Sequence, residues 1–209
     1  MPITFFLLLF SGRWGALAGR IGSRPLMTAG PLVAALGLVL FLQADADVSY
    51  ATDVLPAAAV FGLGLSMTVA PLTATALAAA PPELAGTASG VNNAVARVAS
   101  LLAIAVVGAV VASAFASDLD HRLAGIRLDA PARQAIAEAR RRPLAPAQVS
   151  GASAVAVPVE AAQVAANVRA FHRGILFSAL LVAVGGLLAL ALLPAGVVSA
   201  QEPGGGRET

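Results

Sequence analysis

The chain is cut by its charged residues into long stretches that carry no charge at all. Residues 1–12, 25–44, 54–82, 98–117 and 174–201 hold no Arg, Lys, Asp or Glu. A helix rises about 1.5 Å per residue, so about 20 residues cross a hydrocarbon layer of about 30 Å. Four of the five stretches reach that length, and the first covers only about 18 Å by the same arithmetic. Inside lipid each backbone N–H and C=O needs an internal partner, which a helix supplies within one segment. A transmembrane barrel instead calls for alternating segments of about ten residues, and these stretches are apolar on all sides.

Composition agrees. Charged residues make up 11% of the chain and apolar ones 58%, against about 25% charged in a soluble domain. That is too little polar surface to clothe a soluble fold. The fold class expected is all-α: a polytopic membrane helix bundle. The helices are placed at about 2–12, the end of a truncated first one, and at 26–44, 54–78, 88–115 and 174–194. Residues 116–173 form a long excursion containing a short surface helix at 130–142, where Pro131 stands near the start and strong helix formers follow. Residues 195–209 read as a disordered tail, given the Gly-Gly-Gly run within it.

Orientation follows from Arg placement. The turn 13–24 holds Arg13, Arg20 and Arg24 and no acid, whereas 45–53 holds three Asp and no Arg. The positive-inside bias puts the first in the cytoplasm and the second outside. Alternation then makes 116–173 external and the tail cytoplasmic. Arg169 and Arg173 lie against that assignment, but long loops translocate largely regardless of charge.

All basic residues are Arg, and they are scattered without a basic stripe or interleaved aromatics, so no nucleic-acid partner is expected. The absence of Cys excludes disulfides and thiolate chemistry. His121 and His172 are far apart in polar sequence, so no metal site is expected. No phosphate loop, G-x-S-x-G or H-E-x-x-H is present. No enzyme activity and no cofactor are expected.

Three groups of residues carry the functional reading. The first is Gly15, Arg20, Gly22 and Arg24 in the basic turn. Gly permits a sharp reversal and close approach of helix ends. Arg20 and Arg24 sit four apart, placed to meet helix C-terminal carbonyls or an acid of a neighbouring helix. The second is Asn92, Asn93 and Arg97. Asn93 and Arg97 share one helix face, which is expected to point into the bundle or toward its cytoplasmic mouth, or to let Arg97 snorkel to the interface. The third is Ser66, Met67, Thr68, Thr73 and Thr75, the hydrogen-bonding residues of an otherwise apolar helix and a candidate substrate path. Glu83 is a solvated loop acid or a partner for Arg97 or for an Arg of the basic turn. Asp53, at the external end of a helix, is read as its N-cap, with a proton-titrating group as the alternative. The pairs Gly15/Gly19 and Gly86/Gly90 have the spacing of helix-contact steps.

The segment from Gly15 to Arg24 resembles the loop motif of the major facilitator superfamily, G-x-L-A-D-R-x-G-R-R/K. Gly15, Leu17, Ala18, Arg20, Gly22 and Arg24 match, while Gly19 stands at the motif's Asp and Ser23 at its first late Arg. That pattern is similar to the degenerate C-terminal copy of the motif. The stretches from Phe61 to Pro71 and from Pro81 to Asn93, with Arg97, resemble the late helices of the fourteen-helix multidrug efflux branch, the drug:proton antiporters.

The resemblance implies the C-terminal part of a transporter that exports small organic compounds by alternating access, coupled to protons. Its partners would be the lipid bilayer, the N-terminal transporter helices and a small organic substrate. Its site would lie near the bilayer midplane, and its location would be the cell membrane. Four and a half helices do not enclose such a path, so the chain is expected to be a truncated gene product or to need a partner. The alternative is a small structural or interaction membrane protein with no transport activity of its own.

Overall fold

A computed structural model describes residues 2–43, 49–78, 81–145, 149 and 154–193. The tail 195–209 lies outside the described residues. Among the described residues six α-helices follow one another: α1 (Pro2–Ile21), α2 (Ser23–Leu40), α3 (Leu55–Ala78), α4 (Ala85–Leu123), α5 (Ala130–Arg141) and α6 (Ala156–Leu192). Short helical turns at Phe41–Gln43, Tyr50–Val54 and Pro82–Leu84 join them. No strand occurs among the described residues. The fold is an all-α membrane helix bundle. Four helical stretches, Ser23–Gln43, Tyr50–Thr73, Ala85–Leu123 and Ala156–Leu192, are long and apolar enough to cross a bilayer.

Two differences from the sequence reading stand out. α1 runs through most of the expected turn 13–24, because nothing interrupts the helix until Gly22. Gly22 has φ +86°, and its N–H donates to the Ala18 carbonyl at 2.9 Å. This is a left-handed glycine closing a helix. The second difference lies in 116–173, where α4 continues to Leu123 and α6 begins at Ala156. Helix therefore fills much of the expected excursion. The charges that mark the end of the apolar run do not end the helix, because they point to one side while Phe115, Leu119 and Leu123 bury the other.

The chain divides into two compact units: Met1–Gly37 with Ala58–Ala99 and Leu181–Thr209, and Leu38–Ala57 with Ser100–Leu180. In the first, α2 and α3 approach backbone to backbone. A Cβ on Gly64 would lie 2.6 Å from the Gly30 carbonyl oxygen and 2.8 Å from the Ala34 Cα. A Cβ on Gly37 would lie 2.6 Å from the Phe61 Cα. Gly30, Ala34 and Gly37 are all buried on one face of α2. α6 joins this group at Gly186, whose Cβ would meet the Thr28 carbonyl at 3.0 Å. Close approach through small residues is how helices gain contact where lipid offers no hydrophobic drive. The glycine steps noted by spacing lie elsewhere, and among the described residues nothing lies within 4 Å of a Cβ built at Gly19, Gly86 or Gly90.

The second unit has a core of Phe115, Leu119 and Leu123 from α4, Ala132, Ile136 and Ala139 from α5, and Val159, Ala162, Ala166 and Ala170 from α6. Each set follows a helical period, so three amphipathic faces meet. Asp129 caps α5 by accepting from the Ala132 N–H at 3.0 Å. Asn167 anchors the turn after α5: its Oδ1 accepts from the Leu144 N–H at 3.1 Å and its Nδ2 donates to the Ala145 carbonyl at 3.0 Å. Leu144 has φ +70°, a conformation that costs a branched residue energy and needs such support. The Glu160 carboxylate accepts from the Val149 N–H at 3.0 Å.

Asp53 is not the N-cap of α3. The helical turn starts earlier, at Tyr50, and the Asp53 carboxylate reaches back to accept from the Ser49 N–H at 2.8 Å and from the Thr52 hydroxyl at 2.9 Å. Glu83 is exposed in the Pro82–Leu84 turn and pairs with neither Arg97 nor the α1–α2 arginines among the described residues. Arg97 lies twelve residues into α4, about 18 Å along the axis, beyond a glutamate's reach.

Candidate functional site: the α1–α2 corner and the polar residues of α3 and α4

The corner built around Gly22 places its two arginines differently. Arg20 stands exposed in the last turn of α1. Arg24, one turn further on, reaches across to the end of α6. Its Nε and one terminal nitrogen donate to the Leu190 carbonyl oxygen at 3.0 and 2.6 Å. The last carbonyls of a helix have no partner within it and carry its negative end, so a guanidinium there is doubly favourable. Gly15 sits beside α3, where an added Cβ would meet the Ala70 Cβ at an ordinary 3.8 Å.

The hydrogen-bonding residues of α3 are mostly spent on structure. Ser66 is fully buried. Its hydroxyl accepts from the Trp14 indole N–H at 3.1 Å and donates to the Leu63 carbonyl at 2.7 Å, tying α1 to α3. Thr68 and Thr73 donate to the carbonyls of Gly64 and Val69, one turn back, at 2.9 and 3.1 Å. Met67 packs beside Gly30. Thr75 has a buried hydroxyl oxygen with no hydrogen-bond partner among the described residues. Thr73 is the exposed member of the five. Trp14 escaped the sequence reading. A single Trp in an apolar helix hints at a donor needing a partner, but nothing in the chain order points to Ser66.

Asn92, Asn93 and Arg97 line α4 and are all exposed, as is the entire circumference of that helix from Val91 to Val106. Val95, Leu101 and Ile104 are 61, 68 and 71% exposed. Among the described residues none covers the Asn93–Arg97 face. The three polar residues share a helix without bonding to one another among the described residues.

This arrangement defines a multi-pass α-helical membrane protein. Residues 1–104 match the family described as Major Facilitator Superfamily, and the four long apolar helices fit a partial bundle of that superfamily. The chain is 31% identical over 138 residues to "Multidrug resistance protein Stp" of Mycobacterium tuberculosis, in strain CDC 1551 / Oshkosh and again in strain ATCC 25618 / H37Rv. The match covers 66% of this chain and 25% of each relative.

Proposed function

We propose that the chain supplies helices to a transporter that moves small organic compounds, drugs among them, out of the cell by alternating access driven by protons. The observation that carries this reading is the 31% identity to a multidrug resistance protein over 138 residues. The open circumference of α4 supports it, since a helix with Asn92, Asn93 and Arg97 on its surface is costly in lipid unless other helices cover it. The relative's length, four times the matched part, allows for those helices. In this reading the chain corresponds to the C-terminal helices of the fourteen-helix branch and sits in the cell membrane. The Gly22 corner with Arg20 and Arg24 faces the cytoplasm, and 116–173 lies outside. No catalysis is involved. The substrate path runs along α3, where Thr73 offers the free face and Ser66 serves to hold α1.

Dye efflux tests the reading. Cells expressing the chain with the N-terminal helices of the related transporter should extrude ethidium, and a protonophore should stop them. Cells expressing this chain alone should retain the dye. Retention with all the helices present would instead favour a structural membrane protein without transport.

A further inference from the structure

We propose that a groove between α4 and α6, in the unit Leu38–Ala57 with Ser100–Leu180, seats one anionic phospholipid. The groove has a volume of about 680 Å³ and is open along one side. Its floor is apolar, with Val106, Val110 and Ala114 on one face of α4. Its rim is charged: Asp118 at the end of the same face, and Arg169 and Arg173 one turn apart on α6.

The floor lies in the charge-free run 98–117, the part of α4 apolar enough to lie in hydrocarbon. The rim begins where that run stops. From Val106 to Asp118 the helix rises about 18 Å, close to the roughly 15 Å of one leaflet's hydrocarbon. The groove therefore has the length and the polarity gradient of a single lipid, with acyl chain along α4 and headgroup at the rim.

Charge selects the headgroup. The Asp118 carboxylate is shared by Arg122 at 2.5 Å and Arg169 at 2.9 Å. Arg173 forms no ion pair among the described residues and is exposed at the groove. At the rim Asp118 is thus met by two guanidinium groups, and Arg173 lines the groove beside it. A zwitterionic headgroup brings an ammonium into this field, whereas a phosphodiester with a neutral alcohol brings only the negative charge. A guanidinium at headgroup depth favours an anionic lipid through its charge, by about 1 kcal/mol. A free inorganic phosphate would satisfy the rim and leave the floor empty. The inference rests on the membrane bundle and is independent of the transport reading.

The test uses the purified full chain in nanodiscs of equal phosphatidylglycerol and phosphatidylcholine. Native mass spectrometry after release counts the lipids retained. Phosphatidylglycerol should be retained in preference, and Arg173→Gln should reduce that preference about fivefold, the worth of one arginine near an anionic surface. Arg133→Gln, on the exposed face of α5, should leave it unchanged. A photoactivatable phosphatidylglycerol should label the unaltered protein on α4 between 106 and 118 and on α6 near 169–173, a readout that needs no variant to fold. Equal retention of the two lipids, labelling elsewhere, or displacement of the lipid by inorganic phosphate would each overturn the proposal.

Discussion

Gly64→Ala is the sharpest probe of how α2 and α3 meet. The added methyl would lie 2.6 Å from the Gly30 carbonyl oxygen and 2.8 Å from the Ala34 Cα, and both are backbone atoms that no rotamer change can move. The Ala34 backbone nitrogen lies closer still, so restoring the lower limit of ordinary contact, 3.4 Å, opens the pair by more than the 0.8 Å that the Gly30 oxygen alone would need. A gap of that size forfeits a quarter to a half of each dispersion contact along the crossing. Overpacking of this kind costs about 2 kcal/mol, which lowers the folded-to-unfolded ratio about thirtyfold.

Gly90→Ala is the matched control. Gly90 is also helical, but nothing lies within 4 Å of its Cβ position, so removing the glycine's backbone entropy should stabilise by about 0.5–1 kcal/mol. Equilibrium unfolding in mixed micelles with rising SDS, followed by the fluorescence of the single tryptophan Trp14, measures both. Trp14 reports on the right place because its indole bonds Ser66 of α3. The two substitutions should shift the midpoint in opposite directions. If Gly64→Ala proves as stable as Gly90→Ala, the close-approach argument is wrong.

Two further outcomes are expected. Gly22→Ala forces a side chain into φ +86° and should cost about 1–2 kcal/mol in the same unfolding assay, with Gly22→Asn milder because Asn visits that region more readily. Asn167→Ala removes both bonds that hold the turn at Leu144 and Ala145; hydrogen exchange at the Leu144 amide should rise about fivefold, the worth of a net bond near 1 kcal/mol, while the amides of Ala162 and Ala166 in α6 keep their protection.

Much of the bundle was readable from the spacing of charges, because the cost of burying them fixes where lipid-crossing runs stop. The same rule misplaced the helix ends. Charge marks the edge of hydrocarbon, whereas a helix ends at a backbone feature: Gly22 closes α1 well beyond Arg13, and α4 passes Asp118 on its way to Leu123. The i, i+4, i+8 pattern of Phe115, Leu119 and Leu123 was there to be seen and marks the amphipathic continuation. The glycine pairs noted by spacing meet no neighbour closer than ordinary contact among the described residues, since a G-x-x-x-G step says that close approach is permitted but not which neighbour arrives. Among the candidate residues, Arg24's contact with a helix end follows from general electrostatics. The engagement of Ser66 by Trp14, 52 positions away, depends on tertiary packing and has no local signature. The exposure of Asn93 and Arg97 could not be inferred from their shared face, because periodicity groups residues without saying what covers them.

The bond from Arg24 to the Leu190 carbonyl closes a loop of 166 residues. At synthesis rates of about 5–20 residues per second, on the order of ten to thirty seconds separate the emergence of its two partners. Throughout that interval the guanidinium and the flank of α2 near Thr28 wait without α6. The newborn protein must spend its first moments in the membrane half-assembled, and whatever shields that flank during translation decides how many copies mature.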